Sequence, residues 1–209
     1  WTVATHSVVA TGSITEISFT ETGPEDGLGM LLDSVSVELV EVPICYIPGQ
    51  SVFAATVEDY EQGLKKNGDP VDAARSNPKQ GLELELGKDV TNFFSLGFGG
   101  WIIVGFNDII VDGPGNDIKI TEDTWGGGYP LEKAEVHISQ DGTNWALLGY
   151  ADNTNLDVIH TTTELDLADI GWAWAKYIKV VDVTPAGPHN GNADGYDLNA
   201  VEALSWGYI

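Results

Sequence analysis

Asn190, Asn192 and Asp194 occupy alternate positions and Gly195 follows them. That is the spacing of oxygen ligands in a sharply turning calcium loop. The segment runs on through Asp197 and Asn199 into the apolar Ala200-Val201. It is no EF-hand, because the twelfth position falls on Val201 and no helical pattern flanks it. The same residues also suit a polar Asx-turn that holds no ion. A second oxygen-rich group comprises Asp112, Asp117, Glu122 and Asp182. If these stretches are extended, Ile118, Ile120 and Glu122 share one face, and so do Ile178, Val180 and Asp182. A carboxylate closing an apolar face must be paired, protonated or metal-bound, unless it emerges into solvent or accepts backbone N–H groups. Bases are scarce, so a cation is the natural partner. Calcium is expected rather than magnesium, which keeps its waters and demands octahedral geometry.

A third group is aromatic. Trp125, three glycines, Tyr129 and Pro130 form a loop whose rings could stack on sugar faces. Aromatic rings in sandwiches also commonly serve as core. Catalytic signatures are missing: no G-x-S-x-G, no H-E-x-x-H, and no cysteine in a matched histidine motif. His6, His137, His160 and His189 are scattered, and His137 alternates with Val136 and Ile138, which reads as a solvent-facing strand position. The expectation is a non-catalytic protein with no catalytic residues.

Acids outnumber bases 32 to 9, the net charge is −23, and Arg75 is the sole arginine. Such a surface does not bind nucleic acid or an anionic membrane, both of which need clustered Lys and Arg. It repels itself unless cations screen it, which points to calcium-rich extracellular surroundings and a secreted or cell-surface protein. Cys45 stands alone, so no intrachain disulfide forms, and it reads as a buried small hydrophobe. No run of 18 apolar residues is present for membrane insertion. The first residue is Trp1, which suggests a processed or trimmed product.

The elements that must position these groups are strands. Short runs rich in Val, Ile, Thr and aromatics recur at Ser7–Thr11, Ile14–Thr20, Ser34–Val42, Gly81–Leu86, Trp101–Phe106, Asp117–Thr121, Ala134–Ser139, Trp145–Tyr150, Tyr177–Val183 and Asp197–Leu204. Asp141-Gly142 marks a hairpin. Helix is confined to Thr56–Lys65, a turn at Val71–Arg75 and another at Leu165–Gly171. The predicted fold is all-β: an antiparallel β-sandwich or jelly roll with a short N-terminal β module. A boundary near Pro43–Pro48 divides residues 1–42, a partial jelly-roll-like strand module, from 43–209, the calcium-binding-like sandwich.

Ala10-Thr11-Gly12-Ser13, Ile17-Ser18-Phe19 and Leu31 to Val37 resemble the last strands of galactose-binding-like jelly rolls of secreted microbial proteins. Ala73 to Pro78, Ser95 to Gly100, Val111 to Ile118, Val136 to Gly142 with Trp145, and Asp194 to Val201 resemble microbial cell-surface β-sandwich proteins of uncharacterised function. That resemblance implies an acid where this chain has Asn199. Two functions follow as expectations. One is an extracellular structural or adhesive subunit, calcium-stabilised and self-associating into filaments through strands in residues 1–42 that lack the opening half of their jelly roll. The other is a carbohydrate-binding module of a larger secreted protein, recognising glycans.

Overall fold

The computed structural model describes residues 44–82, 92–124, 128–154 and 160–208, all within the unit Pro43–Ile209. The strands expected in residues 1–42, most of Gly81–Leu86, and Trp125 lie outside the described residues. Two antiparallel sheets face each other. The seven-stranded sheet runs β1 (Cys45–Ile47), β12 (Trp206–Tyr208), β5 (Trp101–Val111), β10 (Trp174–Asp182), β7 (Lys133–Ser139) and β8 (Ala146–Asp152), with β3 (Thr56–Glu61) also on β5. The five-stranded sheet runs β2 (Val52–Phe53), β11 (Asp197–Ala203), β6 (Ile118–Asp123) and β9 (His160–Leu165), with β4 (Phe94–Ser95) also on β11. This is an antiparallel β-sandwich of the jelly-roll class.

Period-two alternation builds it. Ile102 and Val104 of β5, Val136 and Ile138 of β7, and Ile178 and Val180 of β10 point inward and are fully buried. They meet Ile118 and Ile120 of β6 and Leu198 and Val201 of β11 in one continuous core. The intervening Trp101, Ile103, Glu135, His137 and Lys179 lie half-exposed on the outer face. His137 is paired there with Glu135 at 3.0 Å. The Asp141-Gly142 hairpin joins β7 to β8, and Asp141 ties it by accepting N–H bonds from Thr143 and Asn144 at 2.8 Å. The expected turns appear as short 3₁₀ segments, Ala73–Arg75 and Leu167–Ile170, with a third at Pro78–Gly81.

Two expectations are corrected. Thr56–Lys65 is not a helix: Thr56–Glu61 is a strand on β5, where Val57 pairs with Val104 and Glu61 with Trp101. Backbone pairing along β5 overrides the helix-favouring Glu and Lys content. Cys45 is exposed on β1 rather than buried.

Candidate functional site

One end of the sandwich is shaped by glycines. A Cβ on Gly63 would lie 2.3 Å from Phe98 O, one on Gly97 2.4 Å from Gly63 C, and one on Gly100 1.9 Å from Leu96 O. Only glycine lets the segment after β3 and the β4–β5 connection approach this closely. Backbone bonds fasten them: Gly63 N–H donates to Leu96 O at 2.8 Å, and Phe98 N–H to Leu64 O at 2.9 Å. The result is an open cleft of about 450 Å³ whose lining includes Glu61, Gln62, Leu64, Lys65, Lys66 and Phe98. Lys65 is held by Asp72 at 2.6 Å, and Lys66 donates to Gly187 O at 3.1 Å and to His189 O. The Phe98 ring packs edge-on against His189, whose other neighbour is Tyr129.

Behind the β4–β5 connection lies a buried acid group. Glu122 is 0 %, Glu132 1 %, Asp197 3 % and Asp194 4 % exposed. Glu122 closes the inward face of β6, and Glu132 continues the inward parity of Ala134, Val136 and Ile138 on the opposing sheet. The two carboxyls come within hydrogen-bonding reach of each other. Thr161 Oγ1 donates to Glu122 Oε2 at 2.9 Å, and Ser95 Oγ donates to Asp197 Oδ1. Arg75 Nη1 reaches the Asp194 carboxylate at 3.1 Å. Burial pushes Glu132 up to about 12, with Asp197 and Glu122 adding repulsion. Burial likewise lifts Glu122 and Asp197 well above the usual carboxylate range. At the flank, Asp123 meets His160 Nδ1 and the Asn199 side-chain amide, which donates at 3.2 Å.

The opposite end carries a different acid group. Asp112 follows β5, Asp117 precedes β6 and Asp166 follows β9. Among the described residues these three can each offer a ligand oxygen such that all lie within 4.8 Å of one another. Asp117 is buried and also latches the loops, accepting from Gly113 N at 2.8 Å and Leu167 N at 3.0 Å. Asp166 caps the Leu167–Ile170 turn through Ala168 N at 2.8 Å.

The sequence-predicted oxygen ligands are therefore divided, not gathered. Asp112 and Asp117 sit at one end of β6 and Glu122 at the other, about 16 Å apart at strand rise, so no single ion bridges them. Asp182 is buried as its parity requires, but its oxygens accept from Gly99 N and Tyr196 N, each at 2.9 Å. Asn190 and Asn192 are exposed and form an Asx-turn, with Asn192 N donating to Asn190 Oδ1 at 2.8 Å. Asp194 and Asp197 turn inward to the buried group, and Asn199 turns to Asp123. Tyr129 is half-buried and lies edge-on to His189, as Phe98 does. Sequence reasoning missed Glu132, Asp166 and Phe98. Glu132 was signalled by its parity with Ala134; the other two become visible only when separate loops meet.

No helix among the described residues is long and apolar enough to cross a membrane. No known family model and no curated relative matches the sequence. Several solved structures do. The C-terminal domain of a chitobiase from Bacteroides fragilis shares 18 % identity over 71 % of this chain and 91 % of that one, with a TM-score of 0.44. A truncated AlyQ with CBM32 and alginate lyase domains shares 9 % over 77 % of this chain, with a TM-score of 0.44, and only 34 % of that chain is covered. The CBM32 of AlyQ in complex with 4,5-unsaturated mannuronic acid shares 7 % over 77 % and 98 %, with a TM-score of 0.43. Function must be argued from this chain's own residues.

Proposed function

We propose that residues 43–209 act as a non-catalytic carbohydrate-binding module of a larger secreted protein, stiffened by calcium. The cleft carries this reading. It sets the Phe98 ring and the exposed Leu64 among Glu61, Gln62, Lys65 and Lys66 on backbone that zipped glycines hold in place. Sugar recognition needs an apolar ring face beside a few fixed donors and acceptors in a volume of roughly 300–1,000 Å³. The non-catalytic part is supported by the burial of Glu122 and Glu132 in the core, out of reach of a polymeric substrate. The calcium part falls on Asp112, Asp117 and Asp166, three carboxylates converging at the other end of the sandwich. Calcium accepts such oxygen-only, partly backbone-anchored shells. The filament-forming reading depends on residues 1–42, which lie outside the described residues, and no observation favours it.

Glycan-array binding of the full chain tests the proposal. Wild type is expected to bind a defined glycan class, and Phe98→Ala to weaken that binding about tenfold, the worth of one stacked ring. No binding to any glycan, or binding indifferent to Phe98→Ala, would overturn it.

A further inference from the structure

The dipeptide Asn-Gly occurs twice in the sequence, at Asn67-Gly68 and Asn190-Gly191, and all four residues are exposed. The fold sets the two pairs side by side, with Asn67 N–H donating to Gly191 O at 2.9 Å. Glycine has no Cβ to shield its own nitrogen, so that nitrogen can reach the amide carbon of a preceding asparagine. The two pairs share this motif but not its surroundings. Gly68 N–H is engaged by Lys65 O at 2.9 Å. Asp69 grips the Asn67 amide at both ends: Nδ2 donates to Asp69 Oδ2 at 2.8 Å, and Oδ1 accepts from Asp69 N at 2.9 Å. At the second pair only Asn190 Oδ1 is held, by Asn192 N–H at 2.8 Å. Among the described residues, neither Gly191 N–H nor Asn190 Nδ2 has a hydrogen-bond partner. The Asn192 donor also stabilises charge on Oδ1, which leaves Asn190 Cγ more open to attack.

We propose that Asn190 is a site of spontaneous covalent modification, where water replaces the side-chain amide, and that the fold protects Asn67 from the same reaction. Hydroxide takes the Gly191 N–H proton, and the nitrogen bonds to Asn190 Cγ. The Cγ–Nδ2 bond breaks, and ammonia leaves with a proton from water. Water then opens the five-membered imide at one carbonyl or the other. The product is aspartate or, where the main chain comes to run through Cγ, isoaspartate with one more methylene in the backbone. Either product adds a negative charge. The place matters because the loop 187–193 holds a lysine of the cleft. Lys66 N–H donates to Ala193 O at 2.9 Å, and the Lys66 ammonium donates to Gly187 O at 3.1 Å and to His189 O. A longer backbone between Asn190 and Gly191 moves Gly191 O away from Asn67 N–H and loosens that hold. This chemistry needs neither a bound glycan nor calcium.

The test incubates the full chain at mildly alkaline pH, folded and in urea, and maps its tryptic peptides by mass spectrometry. Cleavage after Lys66, Arg75 and Lys179 puts Asn67 and Asn190 on different peptides. In the folded protein the Asn190 peptide is expected to gain one mass unit and to split into aspartate and isoaspartate forms on chromatography. The Asn67 peptide should stay unchanged when folded and convert only in urea. Gly191→Ala is the matched variant, because a Cβ there meets Asn67 Cβ at 3.6 Å, an ordinary contact, and Gly191 has no positive φ. It should suppress the conversion. Amide hydrogen exchange at Lys66 and Asn67 should quicken as wild type converts and stay constant in Gly191→Ala. No conversion at Asn190, equal conversion of Asn67 in the folded protein, or undiminished conversion in Gly191→Ala would overturn the proposal. Conversion of Asn190 without faster exchange would overturn its link to the Lys66 wall of the cleft.

Discussion

Arg75 shows how much one residue can carry in so acidic a chain. It is the only arginine, and its guanidinium spans Asp72 at 3.2 Å and Asp194 at 3.1 Å while lying over the Phe93 ring at 5.8 Å. The Asp72 contact is on the surface, and exposed pairs contribute little. The Asp194 contact is not, since both side chains are largely buried. Removing one partner of such a pair strands the other charge. Arg75→Ala is therefore expected to destabilise the domain by about 3 kcal/mol. Arg75→Ala combined with Asp194→Asn should recover a substantial part of that loss. Urea denaturation of the three proteins measures it, and a single variant within about 0.5 kcal/mol of wild type would contradict the stranded-charge argument.

Elements rather than residues make the cleft, and glycines decide whether those elements can meet. Gly97 and Gly68 both adopt left-handed backbone, at φ 72° and 88°. They differ in what surrounds them: a Cβ on Gly97 strikes Gly63 backbone at 2.4 Å, whereas one on Gly68 meets nothing within 4 Å. Gly68 also lines the cleft, but Gly68→Ala is expected to cost only the conformational penalty, about 1–2 kcal/mol, and to leave the cleft's backbone in place. Gly97→Ala must cost more, because the two connections can no longer close, and it should abolish any ligand binding that Phe98 supports. Equal losses from the two substitutions, read by melting temperature and binding together, would show that the close approach is not what builds the cleft. The same scale explains what the sequence could reveal. Inward parity was legible wherever a strand is covered on one face, so Glu122 beside Ile120 and Asp182 beside Val180 could be placed at the ends of apolar faces. Whether such ends emerge into solvent is decided only by their burial in the fold. Thr56–Glu61 was misread because it lies along one edge of β5 with nearly every residue exposed, leaving no alternation to see. Asp112 and Asp166 come together through loops 54 residues apart in number, a meeting that no local spacing encodes.

At the scale of the whole molecule, the net charge of −23 has a structured interior counterpart. Asp117, Glu122, Asp123, Glu132, Asp182, Asp194 and Asp197 are all buried, and desolvation is the leading cause that raises each of them above the ordinary carboxylate range. A carboxyl whose folded pKa exceeds its unfolded value near 4 binds more protons folded than unfolded at intermediate pH. Its contribution is fully present below the unfolded pKa and is lost as pH rises through the folded one. Each such group removes about 1.4 kcal/mol per pH unit between those two values. For Glu132, pushed up to about 12, that window covers the whole range from weak acid to strong base. In chelator, therefore, the melting temperature is expected to peak near pH 4–5 and to fall steadily toward pH 8, opposite to a protein whose acids are stabilised by surface ion pairs. Calcium can act only where carboxylates converge, at Asp112, Asp117 and Asp166, so millimolar calcium should raise the melting temperature above pH 6 without abolishing the fall and leave the acid end unchanged. Thermal melts across that range, with chelator and with calcium, check both arms. A chelated protein that grows more stable from pH 5 to 8 would mean that its interior acids are already compensated and do not depend on their protons.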